Sequence, residues 1–178
     1  MNKIKIRKLV TLSLLCALSL IIFTVESMIP PIVPIQGVKL GLANVITLFL
    51  ILTADKKSAA AVLLVRIVLA AVFAGQAISF LYSLCGGMLA FSAMCAAEKL
   101  LNGKPVWFIS LVGAVFHNIG QISAACVLMT WAVVYYLPFL LISGCITGIL
   151  TGLLTSFTIE KMDKAGLLQP FKDVFNKE

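Results

Sequence analysis

"PVWFISLVGAVFHNIGQISAACVLMTWAVVYYLPFLLISGCITGILTGLLTSFTI" occupies Pro105 to Ile159, 55 residues without a single Asp, Glu, Lys or Arg. A membrane crossing takes ~20 residues at about 1.5 Å of rise each. The block therefore holds two crossings and a short connection, expected around Tyr135–Pro138. The rest of the chain has the same character. Of its 178 residues 61% are hydrophobic and 12% are charged, and its mean hydropathy is +1.11. Soluble domains carry roughly 25% charged residues, and a soluble fold of this size cannot hide so much apolar surface. The composition implies an integral membrane protein, with no separate soluble domain, long linker or low-complexity tract.

Working outward from the block gives four more apolar segments. The first runs from Leu9 to Met28. The second, from Leu40 to Ala54, is short. The third starts at Ser58 and the fourth ends near Glu98, with a tight turn around Gly75–Ser79 between them. The expected fold is an all-α membrane protein of six transmembrane helices spanning 1–161, with a short cytoplasmic tail at 162–178. The opening "MNKIKIRKLVTLSLLCALSLIIFTVES" has the basic-then-apolar order of a signal peptide. It lacks a small-x-small cleavage site, so it is read as a retained first span.

Six crossings put both termini on one side. On that side fall twelve of the fourteen basic residues: Lys3, Lys5, Arg7 and Lys8, then Lys56 and Lys57, then Lys99 and Lys104, then Lys161, Lys164, Lys172 and Lys177. Lys39 stands on the opposite side and Arg66 lies inside a span. Short loops rich in Lys and Arg stay cytoplasmic, so both termini are expected in the cytoplasm of a multi-pass plasma-membrane protein, of bacterial type. The net charge of +7 follows from this bias. The cations are scattered over short loops with no aromatic platform, which argues against nucleic-acid binding. The five cysteines all sit in apolar segments without a Cys-x-x-Cys pair and read as packing residues. No metal site and no cofactor is expected.

Polar residues inside the apolar segments are the candidates for function. An arginine at the centre of a spanning helix costs about 2.5–3.5 kcal/mol on insertion scales. Arg66 either snorkels or pairs with Asp55 or Glu98, or it faces a cavity and meets an anionic group of a ligand. His117 and Gln121 are spaced i,i+4 and Asn118 and Gln121 i,i+3, so the three share one helical face. Gly113, Ala114, Ala124 and Ala125 extend it with small residues, and such a face turns away from lipid. It either joins helices or contacts a ligand. Without a nucleophile and carboxylate partner, His117 is not expected to be catalytic. Pro30, Pro31 and Pro34 fix an extended path and Gly37 allows a turn before Lys39, Gly41 and Asn44 open the second span; this loop is either a connector or a lid over an outer cavity. Gly144, Gly148 and Gly152 form a ridge spaced by four along which another helix can approach closely, from within the protein or from a partner. Ser13 and Ala17 give a weaker pair of the same kind.

The strings "VKLGLANVITLF", "FLYSLCGGMLA", "GAVFHNIGQISAA" and "YYLPFLLISG", together with Arg66, resemble the Gx transporter family, also called heptaprenyl diphosphate synthase component I. The likeness covers about Glu26 to Gly152; "KLGLAN" and "HNIGQ" are its specific strings. That family is similar to the substrate-binding S components of energy-coupling-factor (ECF) vitamin transporters. The resemblance implies a six-helix bundle that holds a micronutrient near the outer face, with Asn44, Arg66, His117, Asn118, Gln121 and Lys39 around it. It also implies a transmembrane coupling subunit and two cytoplasmic ATPases as partners, docked through Gly144, Gly148 and Gly152 or through Ser13 and Ala17. S components often carry an Ala-x-x-x-Ala motif in the first span, to which Ser13/Ala17 is the nearest match. The second family label implies a different role, an accessory subunit in isoprenoid or quinone metabolism or a membrane redox chain. Prenyl synthases use paired aspartates to hold magnesium, whereas Asp55, Asp163 and Asp173 are isolated. There is no phosphate-binding G-x-x-x-x-G-K-[ST] loop either, so no enzymatic role is expected of this chain.

Overall fold

The computed structural model describes residues 3–28, 39, 41–75 and 77–176. Each of the six apolar segments forms a helix: α1 Lys3–Met28, α2 Asn44–Thr53, α3 Lys56–Ala74, α4 Ala77–Leu100, α5 Val106–Leu128 and α6 Leu137–Lys164. A 3₁₀ turn at Trp131–Tyr136 joins the last two, where the connection was expected. Among the described residues four helical stretches are long and apolar enough to cross a membrane: α1, α4, α5 and the run Trp131–Lys164. Their outward faces are apolar, as on α6 with Ile142, Ile146, Leu150 and Phe157.

The short second segment becomes the centre of the bundle. Ten residues of α2 span ~15 Å, half the ~30 Å of a hydrocarbon core. Val45 to Ile51 are all buried, because α2 touches every other α-helix. Asp55 caps α3, its Oδ1 accepting the Ser58 N–H at 2.7 Å. Gly75 ends α3 in the left-handed region at φ +63°, a conformation glycine adopts without a Cβ penalty.

Two ends of the bundle can be told apart. At one, Lys8 pairs with Asp55 at 3.4 Å and Lys56 with Glu98 at 2.8 Å. The stretch expected as a tail also belongs here. Residues Leu168–Asn176 form α7, whose Phe171 stacks 5.4 Å from Phe49 of α2, and whose Leu168 and Phe175 are buried. The short tail is therefore helical and packed: apolar side chains at 168, 171 and 175 share one helical face and lie against the core.

The glycine ridge of α6 is also settled. A Cβ on Gly148 would lie 2.8 Å from Ala114 Cβ, and one on Gly152 would lie 2.5 Å from Trp107 Cα. One on Gly144 would fall onto Asn118 Nδ2. The ridge is the seat of α5, so the expectation of Gly144, Gly148 and Gly152 as a partner-docking face is corrected: the groove is filled from within the chain. Ser13 and Ala17, by contrast, lie exposed on α1.

Candidate binding site

The other end of the bundle gathers the polar residues. The end of α1, the segment leading into α2, the middle of α3 and the outgoing half of α5 meet there. On α1 the residues Cys16, Ser19, Phe23 and Glu26 form the buried stripe, spaced three and four apart as one face of a helix requires. Glu26 is only 4% exposed; its Oε1 accepts the Gly41 N–H at 2.6 Å. Lys39 donates its backbone N–H to Gln121 Oε1 at 3.2 Å, and its ammonium bonds Ser27 Oγ while lying 3.3 Å from the centre of the Phe23 ring. The Pro30–Gly37 loop itself lies outside the described residues.

Glycines bring the backbones close around His117. A Cβ on Gly41 would sit 2.9 Å from His117 Cδ2, and one on Gly86 would sit 2.9 Å from both Gln121 Cγ and the His117 carbonyl oxygen. The imidazole is fully enclosed and its tautomer can be deduced. Gln121 gives its oxygen to Lys39, so its Nε2 donates to His117 Nε2, 3.0 Å away. The ring proton therefore sits on Nδ1, beside the Gly86 carbonyl and 3.3 Å from Asn44 Nδ2. With an N–H there, the Asn44 amide must present its oxygen to the ring, which means exchanging its O and N positions. The Gln121 donation makes His117 neutral, since a proton on Nε2 would face another donor.

Arg66 is the anomaly. It is 4% exposed, and its Nε and Nη2 have no hydrogen-bond partner. The acids considered for it in the sequence are engaged elsewhere, Asp55 by Lys8 and Glu98 by Lys56. Instead its guanidinium carbon lies 5.9 Å from the Phe23 ring centre, within the electrostatic reach of Glu26, Lys39 and His117. Glu26 Oε2 is likewise buried without a partner.

Asn44, Arg66, His117, Gln121 and Lys39 are thus brought together. Asn118 is not: its Nδ2 donates to the Leu140 carbonyl at 2.7 Å, so it joins α5 to α6 and does not face the cluster. Glu26 and Phe23 were missed by the sequence reading. Their signal was the inward stripe of α1, in which Glu26 follows Phe23 by three residues and Ser19 by seven. Among the described residues no group of three His, Cys, Asp or Glu side chains could hold a metal ion.

Residues 15–158 match the family model described as heptaprenyl diphosphate synthase component I, and the chain belongs to that family. No curated protein and no solved structure matches it significantly.

Proposed function

We propose that this member of the heptaprenyl diphosphate synthase component I family is the substrate-capturing membrane component of an uptake transporter of the ECF type. It would cross the membrane six times with both termini in the cytoplasm, α2 and α3 completing the four longer spans. The charge bias of its loops supports that orientation. One observation carries the functional reading: Arg66 is buried with two N–H groups unpaired, next to an acid with an unpaired oxygen. Buried polar groups are nearly always hydrogen-bonded, and an intramembrane ionisable residue is by default a functional one. A polar small molecule entering from the outer side would take up these bonds.

Transport would need a coupling subunit and ATPases supplied by other chains. With the α6 ridge filled, the exposed small residues Ser13 and Ala17 on α1 are the place left for a coupling helix. The capture reading is tested by mass spectrometry of small molecules that co-purify with the wild-type protein and with Arg66→Gln. A compound present in the first and absent from the second is expected. Wild-type protein that carries none, and whose melting temperature no cell-extract fraction raises, would sink the reading.

The family name favours one other role, a non-catalytic membrane partner of a prenyl diphosphate synthase. That role predicts a stable complex with a soluble aspartate-rich synthase chain, and it has no use for the unpaired edge of Arg66.

A further inference from the structure

The charges at the polar end can be counted from the sequence. From Leu9 to Ala54 the only charged side chains are Glu26 and Lys39; from Ser58 to Ala97 the only one is Arg66; from Pro105 to Ile159 there is none. Residues 29–38 and 40 carry no charge, so their placement leaves the count unchanged. His117 is neutral by its hydrogen bonds. Two cations face one anion, and the cluster holds a net charge of +1.

An unbalanced charge in a low-dielectric site is costly, and one anionic charge cancels it. The unpaired atoms of Arg66 say what kind of anion. Nε and Nη2 form one edge of the guanidinium, two parallel N–H groups in a fixed fork that matches two oxygens of one planar group. Glu26 Oε2 is an acceptor with nothing to accept, so a donor on the same molecule would be held beside the anion. We propose that the cluster takes a small organic molecule through a singly charged carboxylate on the Nε–Nη2 edge of Arg66, with an N–H or O–H of that molecule donated to Glu26 Oε2. This inference rests on the reading of the cluster as the capture site.

The test uses simple salts and the purified full-length protein in nanodiscs of phosphatidylcholine, which has no net charge. Melting temperatures are compared in sodium chloride, acetate and sulfate at equal ionic strength near neutral pH, for wild type and Arg66→Gln. Subtracting the variant removes the general salting effect of each anion. Chloride matches acetate in charge but has no second oxygen for the fork; sulfate has the oxygens but twice the charge. Acetate at ten times its Kd should raise the wild-type melting temperature by about 3–6 °C over chloride, with the rise absent in Arg66→Gln. Sulfate should give less than acetate. If Arg66→Gln does not fold, Arg66→Lys, which keeps the charge and loses the fork, is expected to lose at least half the shift. A sulfate shift larger than that of acetate overturns the carboxylate, as does a wild type without an acetate shift, an acetate shift kept in Arg66→Gln, or one that keeps more than half its size in Arg66→Lys. The two readings fail differently: a co-purified compound that is neutral, cationic or doubly charged removes this inference and leaves the capture site standing.

Discussion

Replacing Gly152 with alanine is expected to destabilise the isolated protein, and the sign of the effect tests how α6 is seated. Carbon atoms touch at about 3.5–4.0 Å. The new Cβ would lie 2.5 Å from Trp107 Cα and 2.8 Å from Ser110 Cβ, so α6 has to retreat from α5 by about 1 Å. Trp107 Cα is backbone and cannot rotate away. A gap of 0.5–1 Å forfeits roughly a quarter to a half of the attraction of every atom pair along the seam, and overpacking of this kind costs about 1–3 kcal/mol. The backbone contact puts Gly152 in the upper part of that range, ~2–3 kcal/mol. Alanine returns about 0.8–1.0 kcal/mol of helix propensity. The net loss of ~1–2 kcal/mol corresponds to a melting temperature lower by about 2–8 °C, read by tryptophan fluorescence in a single detergent. Were the ridge an open docking face, only the propensity gain would remain and the melting temperature would rise by about 2–4 °C. An unchanged or higher value therefore refutes the packing argument.

Asn118→Ala should lower the ligand-free melting temperature, because it removes the Nδ2–Leu140 bond at a fully buried position, at about 0.5–1.5 kcal/mol, while the Leu140 carbonyl keeps the Ser143 hydroxyl as a donor; an unchanged value would return Asn118 to the ligand side. Burial lowers the Lys39 ammonium to about 8 from 10.5, against the opposing pull of Glu26 and with a further push from Arg66. Between those two values the unfolded chain binds more protons than the folded one. The Lys39-dependent part of the stability therefore grows as pH rises through that window, and the affinity for an anion falls. Wild type minus Lys39→Met, in melting temperature and in acetate shift against pH, measures both; a difference flat across the window contradicts the assignment. Lys57→Cys in a cysteine-free protein should react with a membrane-impermeant maleimide only from the cytoplasmic side of intact cells, and labelling from outside would reverse the proposed orientation.

The helices were legible because lipid imposes one simple requirement, an apolar run of set length. All six runs appear as helices, with α1 and α3 starting a few residues earlier than hydropathy alone suggests, since Lys3 to Lys8 and Lys56 continue helical geometry beyond the apolar core. Depth and direction were harder to read. The sharing of one face by His117, Asn118 and Gln121 follows from helical spacing, yet Asn118 lies about 100° round the helix from His117, enough to turn it from the cluster to Leu140. The glycine ridge announced a close approach without naming the partner, which depended on Trp107, Ser110 and Ala114 arriving at the same heights on α5. Glu26 went unread because its partner, the Gly41 N–H, is a backbone group with no mark in the sequence. The sequence of α7 carried its signal openly in Leu168, Phe171 and Phe175, but nine residues are too few to stand out beside spans of twenty.

His117 and Gln121 occur in an uncharged segment partly because α2 begins halfway through the bundle. In the six-crossing topology Gly41 to Ala43, just before α2, are non-helical at membrane depth, and such backbone is tolerated only where protein satisfies it. Gln121 Oε1 takes the Lys39 N–H and Glu26 Oε1 takes the Gly41 N–H, so both side chains have structural duties that need no ligand. The guanidinium of Arg66 has none that the hydrogen bonds reveal. If it is there for a ligand, Arg66→Met should leave the empty protein as stable as wild type or more so, by up to about 4 kcal/mol, as when buried ionic groups give way to apolar ones of similar volume. Glu26 would keep Lys39 as its counter-charge and Gly41 as its donor. Capture would be lost at the same time. If Arg66 instead stabilises the fold through Glu26, the same substitution leaves that acid undercompensated and lowers the melting temperature, by the equivalent of about 3–5 kcal/mol. The two outcomes have opposite signs, and a drop would assign Arg66 to the scaffold and take away the observation on which the capture site stands.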